Sequence, residues 1–246
     1  MSKIKNNHKI SAFILCIGLV CAAPAWAMDS LDGLSSLDSS AGMAGAGMGM
    51  SGSAGHAMPH FQPYRTVHLT GMNSAVIEAM AYECPFCRAL NGEILRWAQT
   101  LPSDVHFQQM PAAVGKSWIP MTRAFFTVEG YNPALLPRFD DAAFAEVQDR
   151  HSPYWSLDTY RIAAEDVGVP ANVFAIGIHL EPVKHMVFRD VKIMAKARIR
   201  KTPSLIICGH YVLNPGDVQG NYSEFFQMAN ALVSRCISEN RLGGQP

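Results

Sequence analysis

Cys84-Pro85-Phe86-Cys87 places two cysteines three residues apart where one periodicity gives way to another. Before it, Ala75, Val76, Ile77, Ala79, Met80 and Ala81 form a short apolar run of strand character. After it, Leu90, Ile94, Leu95 and Trp97 recur near one face of a predicted helix over 85–100. A C-x-x-C pair at such a junction puts its first sulfur at a helix N-terminus, where the local field favours a thiolate. A second thiol three residues on can resolve a mixed disulfide, so the pattern suits thiol–disulfide exchange. Half of a zinc site and an inert structural disulfide are the other readings of the pair. Zinc calls for a second C-x-x-C or paired histidines, and the sequence has neither.

The first residues bear on where such chemistry could run. Lys3, Lys5 and Lys9 precede an apolar stretch from Ile10 to Ala23, followed by Ala25-Trp26-Ala27. That order reads as a secretory signal peptide over 1–27, with an uncleaved anchor as the alternative. Export predicts a periplasmic location, where disulfides persist. Without the leader, Cys16 and Cys21 drop out of the 6 cysteines and leave Cys84, Cys87, Cys208 and Cys236. The nearness of Cys84 to Cys87 pairs those two and leaves Cys208 for Cys236 as a structural disulfide. Setting the leader's three lysines aside also makes the remainder slightly acidic, which speaks against a nucleic-acid surface.

Composition divides the rest. Residues 28–40 carry Leu31, Leu34 and Leu37 at three-residue intervals, a pattern for one short amphipathic helix. Residues 41–55 are almost wholly Gly, Ala, Ser and Met, as in a flexible linker. Such a helix cannot bury its apolar face alone, so 28–60 is expected either to associate with its copy in a homo-oligomer or to be a processed tail. Met43, Met48, Met50, Met58, His56 and His60 offer soft ligands for Cu(I), though at irregular spacing. A periplasmic copper-binding module is therefore the alternative from another class. Further on, strands are predicted over 66–70, 74–81 and 105–110, giving a parallel βαβ unit around the cysteine pair. Helices interrupted by prolines follow to about Val191, then a hairpin around Gly209-His210 and a last helix from Tyr222.

Strand, C-x-x-C helix, strand, helical stretch, hairpin and helix in that order resemble the DsbA-like thiol oxidoreductases, across roughly 64–238. Val76 through Cys87 looks like that family's active-site strand, with its acid, Glu78, six residues before the first cysteine. Lys201-Thr202-Pro203-Ser204-Leu205-Ile206 looks like its cis-proline segment, and Gly209 through Asn214 like the hairpin that follows. The resemblance implies an α/β thioredoxin fold with an inserted helical domain. Its domains would be 61–116 with 200–246 for the thioredoxin part, 117–199 for the insertion, and 28–60 as an N-terminal extension.

It also implies roles. Cys84 would attack and Cys87 resolve, with no cofactor beyond the Cys84–Cys87 disulfide and no metal. Pro203 would face the pair in cis, beside Thr202, and Glu78 would accept the Cys87 proton. The family pairs that acid with a lysine on the next strand; here Gln109 or a neighbour takes that place, which leaves the charge of Glu78 open. An ordinary trans Pro203 and a solvent-facing Glu78 are the plainer readings. Pro85 and Phe86 would tune the thiol. Phe86 stands where strongly oxidising members carry histidine, and Thr202 where they carry valine, a threonine being the pattern of dimeric isomerases. The expected activity is thus oxidation with isomerisation of disulfides, the runner-up being a monomeric oxidase. Expected partners are exported proteins with cysteine thiols and a DsbB-like or DsbD-like membrane redox protein.

Overall fold

Alternation along the strands sorts their side chains between two cores. In a computed structural model, which describes residues 62–243, Leu205 and Ile207 of one strand enter one core while Ile206 between them enters the other. On its neighbour, Leu213 and Val212 divide in the same way, as a strand buried on both faces requires.

The sheet comprises β1 (Arg65–Thr66), β2 (Ala75–Met80), β3 (His106–Pro111), β4 (Ser204–Ile207) and β5 (Tyr211–Leu213), in the order β1-β5-β4-β2-β3. β2 runs parallel to β3, joined by helix α1 (Pro85–Ala98), and antiparallel to β4. This is the βαβ unit that the periodicity predicts. Between β3 and β4 lie the helices α2 (Ile119–Tyr131), α3 (Leu136–Phe144), α4 (Leu157–Asp166), α5 (Ala171–Gly177) and α6 (Glu181–Lys196). Helix α7 (Tyr222–Gly243) closes the fold over the sheet face that holds Leu205 and Ile207, burying Phe225, Ala229 and Leu232. Trp97 of α1 donates its indole N–H to Asn230 Oδ1 on α7 at 2.8 Å, which joins the two helices. On the other face, Phe125, Phe139, Phe144 and Tyr160 of the helical stretch share a core with Ile77, Ala79 and Ile206.

Two expectations need correction. The strand predicted over 66–70 pairs as a strand only at Arg65–Thr66. Beyond that point Val67 and Leu69 donate to the carbonyls of His210 and Gly209, so the chain runs across the hairpin turn rather than along β5. The turn contains Gly209 and His210 as expected but starts one residue earlier: β4 ends at Ile207, which pairs with Tyr211, so Cys208 belongs to the connection and not to the strand. Cys208 (φ 52°) and Gly209 (φ 67°) are both left-handed, and His210 N–H closes the turn on Ile207 at 3.0 Å. A Cβ on Gly209 would collide with the Leu69 carbonyl, so glycine is required there twice over.

Cys208 and Cys236 are joined in a disulfide, with Cα atoms 6.3 Å apart, which ties this turn to α7. The leader 1–27, the leucine-bearing stretch 28–40 and the Met/His-containing residues of 41–60 lie outside the described residues. Among the described residues no helix is long and apolar enough to cross a membrane.

Candidate active site

Cys84 is the N-cap of α1, in extended conformation, with Pro85 following at the first helical position. Its sulfur accepts the backbone N–H of Cys87 at 3.3 Å, the bond by which a cap side chain satisfies a free helix donor. Both cysteines are thiols here: Cys84 is half-buried and Cys87 is buried. That difference drives their acidities apart. Hydrogen bonding from the Cys87 side chain, opposed by partial burial and helped by Thr202 and the backbone N–H groups of Cys87 and Phe86, brings Cys84 down to about 6. Cys87 moves far the other way, through burial first and then the neighbouring Cys84 sulfur.

Across from the pair, the Thr202–Pro203 peptide is cis and the Cys84 thiol donates to the Thr202 carbonyl at 3.2 Å. Asn214 fixes this segment. Its amide donates to the Pro203 carbonyl at 2.5 Å while its oxygen caps the turn Pro215–Val218. Phe86, 60% exposed, stands over a groove of about 410 Å³ that it lines with Thr202, Pro203, Asn214, Pro215 and Tyr222.

Glu78 sits in β2 opposite Gln109 of β3, fully enclosed. Gln109 Nε2 donates to Glu78 Oε2 at 3.2 Å and to Asn91 Oδ1 of α1 at 3.0 Å. An amide cannot offset the charge as a lysine would, and burial pushes Glu78 up to about 8 despite that bond.

The helical stretch also reaches the site. A π-turn over Ala145–Asp149 follows α3, and from it Gln148 donates to the carbonyls of Tyr82 and Cys84 at 2.7 and 3.1 Å. Asp149 takes both guanidinium nitrogens of Arg88 at 2.6 and 2.7 Å, clamping the first turn of α1. The turn is braced by Glu146, which accepts from Arg150 and from Ser152.

No family model matches the chain. The thiol:disulfide interchange protein DsbA of Pseudomonas aeruginosa is 24% identical over 160 residues, which is 65% of this chain and 74% of that protein. The DsbA of Azotobacter vinelandii is 26% identical over 163 residues, 65% and 73% of the two chains. Among solved structures, that of Pseudomonas aeruginosa DsbA superposes with a TM-score of 0.66 at 21% identity, covering 73% of this chain and 94% of that one. The oxidoreductase NmDsbA1 from N. meningitidis gives 0.63 at 13% identity, covering 78% and 99%. The chain is a DsbA-like oxidoreductase.

Its fold is accordingly a thioredoxin fold with an inserted helical domain. The DsbA-like site brings together Cys84, Cys87, Thr202, Pro203 and Phe86, with Glu78 enclosed nearby in β2. Cys208 and Cys236 lie elsewhere, in their own disulfide. Among the described residues no group of three or more His, Cys, Asp or Glu side chains could hold a metal. Sequence reasoning missed Gln148, Asp149 and a buried Tyr82–Asp140 pair. Only Asp140 carried a signal, as an acid beside Phe139 on the apolar face of a predicted helix.

Proposed function

We propose that this chain is a periplasmic thiol–disulfide oxidoreductase that introduces disulfides into exported polypeptides and also isomerises them. The observation that carries the reading is the split between its two sulfurs: Cys84 capping α1, half-exposed and acidic, Cys87 buried and held as a thiol. In the oxidised enzyme a substrate thiolate attacks Cys84 Sγ. The Cys84–Cys87 bond breaks, and Cys87 leaves and takes up a proton. A second substrate thiolate then attacks the substrate sulfur of the mixed disulfide, forming the new disulfide and expelling Cys84 as a thiolate. Two electrons have passed to the enzyme. Its reoxidation calls for a membrane disulfide donor of the DsbB type, and isomerisation for a reductant of the DsbD type.

The remaining roles follow from chemistry. Thr202 and Pro203 would present backbone to an extended substrate lying in the groove beside Phe86. Glu78 would exchange the proton of Cys87. Pro85 and Phe86 give the thiolate no cationic partner, and this moderation, with Thr202, supports isomerisation beside oxidation. Two redox sites in one assembly can grip a misfolded chain at two points, so we place a homo-oligomeric contact in 28–40 and a tether in 41–60. The signal-like pattern of 1–27 supports the location. The test is Cys84→Ala, assayed for disulfide formation in a reduced, unfolded substrate protein. Activity should vanish while the fold persists; full activity in the variant refutes the reading.

A further inference from the structure

Near the redox pair lie two enclosed carboxyl groups, neither with an ion-pair partner among the described residues. Glu78 on β2 is one. Asp140 on α3 of the helical insertion, with no exposed surface, is the other. Asp140 Oδ1 accepts the hydroxyl of Tyr82 at 2.6 Å, and Tyr82, also fully buried, is two residues before Cys84. One oxygen of each acid, Glu78 Oε1 and Asp140 Oδ2, has no hydrogen-bond partner. Native proteins rarely leave buried carboxyl oxygens unpaired, so two together call for a cause. Gln109 gives its amide hydrogens to Glu78 and Asn91, so what reaches Glu78 from Asp140 is the charge of that acid. The other ionisable groups felt here are Cys84 by Glu78, Asp141 by Asp140, and Tyr160 of α4 by Tyr82; a third acid, the partly buried Glu83 beside Cys84, has both oxygens unpaired and is felt by Tyr160.

We infer that Asp140, held by the Tyr82 hydroxyl, is a positioning residue whose charge sets when Glu78 can take a proton from Cys87. This rests on the proposed role of Glu78 as the acceptor. Two desolvated acids in mutual reach do not ionise independently. Burial raises Asp140 to about 7 and Glu78 to about 8, with the Tyr82 hydroxyl helping Asp140 to ionise first. Once charged, Asp140 holds the Glu78 proton in place. When the enzyme is reoxidised, Cys87 must lose its proton to attack a mixed disulfide at Cys84. The proton passes from Cys87 Sγ to ionised Glu78, the Cys87–Cys84 bond forms, and the bound thiol leaves as a thiolate. The insertion thereby sets the pH at which the redox pair can close.

The test follows the pH dependence of one step, resolution of the mixed disulfide between Cys84 and glutathione, by rapid mixing and mass analysis. The wild-type rate should rise through an inflection belonging to Glu78, and Glu78→Gln should lose that inflection. Asp140→Asn removes the opposing charge and should move the inflection about one unit toward acid, which is roughly a fivefold faster step at pH 7. Tyr82→Phe should move it the same way, because Asp140 without its donor keeps its proton. A merely structural pair would lower the unfolding midpoint and leave the inflection where it was; that result, in either folded variant, overturns the inference. Should Asp140→Asn not fold, Tyr82→Phe decides alone. An inflection that survives Glu78→Gln removes Glu78 as acceptor and with it this inference, yet leaves the Cys84→Ala test of the oxidoreductase reading untouched.

Discussion

The acidity of Cys84 should be visible in the stability of the reduced protein. Cys84 lies at about 6 against an ordinary 9.0, so its folded value is depressed. An acid depressed on folding contributes stability that is complete above its unfolded pKa and is lost as pH falls through the folded one. The window is therefore roughly pH 9 down to pH 6. By linkage the contribution is near zero at pH 5 and about 1.4 kcal/mol at pH 7. Cys84 keeps part of its surface in water, and screening brings that to roughly 0.7 kcal/mol. The raw stability curve would hide it. Glu78 and Asp140 are shifted upward by burial, so their contributions fall as pH rises over the same interval. The quantity to measure is a difference: urea unfolding of the reduced wild type and of reduced Cys84→Ser, each at about pH 5 and pH 7. Both proteins contain the two acids, so the Asp140 term and the burial part of the Glu78 term cancel; the smaller part that the Cys84 charge adds to Glu78 disappears in the variant and works against the wild-type advantage. The wild-type advantage should grow by about 0.7 kcal/mol between the two conditions, within a factor of two. A gap that stays flat, or shrinks, would show that the Cys87 side chain, Thr202 and the helix start do not together stabilise the thiolate.

Three other expectations follow from the same structure. Phe86→His puts a hydrogen-bonding, cationic side chain at an exposed position beside the pair, so Cys84 should titrate lower still and the disulfide become more oxidising; thiolate absorbance against pH reads the first effect. Removing the Cys208–Cys236 bridge by the double alanine variant opens a loop of 28 residues and should cost about 3–4 kcal/mol, seen as a fall of roughly 10 °C in melting temperature. Deleting residues 28–58 should yield a monomer in sedimentation that still oxidises dithiols but loses most isomerase activity, whereas an unchanged subunit number removes the assembly role from that segment.

What could be read from sequence was what is local or periodic. The strand-to-helix switch at Cys84, the parallel pairing of β2 with β3, and the antiparallel hairpin of β4 and β5 all follow from spacing and apolar alternation. The buried place of Glu78 and its Gln109 neighbour follow from register once the strands are known. The strand expected over 66–70 failed for a reason periodicity does not encode: the hairpin turn, not a strand edge, supplies its acceptors at Val67 and Leu69. What remained illegible is contributed by residues 58 to 66 positions away in the chain. Asp140, Gln148 and Asp149 are ordinary polar residues of a helical stretch until folding carries them to Tyr82, Cys84 and Arg88.

Those contacts give the insertion a part in the chemistry rather than the role of a lid. The segment between β2 and α1 must hold Cys84 in extended geometry so that its sulfur, and not a backbone oxygen, caps the helix. Gln148 takes up the Tyr82 carbonyl and shares the Cys84 carbonyl with the Arg88 N–H, and Arg88–Asp149 fixes the first turn against the π-turn that presents Gln148. A π-turn in place of a regular helical turn widens the spiral by one residue and re-aims the side chains that follow. The helix start, whose backbone N–H groups add to the effect of the Cys87 side chain and Thr202 on Cys84, is thus secured from the helical insertion. Loosening the insertion should therefore raise the Cys84 pKa before it unfolds the sheet: Gln148→Ala, which removes the side-chain donor from the Tyr82 and Cys84 carbonyls and touches neither sulfur, should show an upward shift in thiolate titration with the far-ultraviolet circular dichroism unchanged. An unshifted titration in that variant would place the control of Cys84 wholly within α1 and the Thr202 segment.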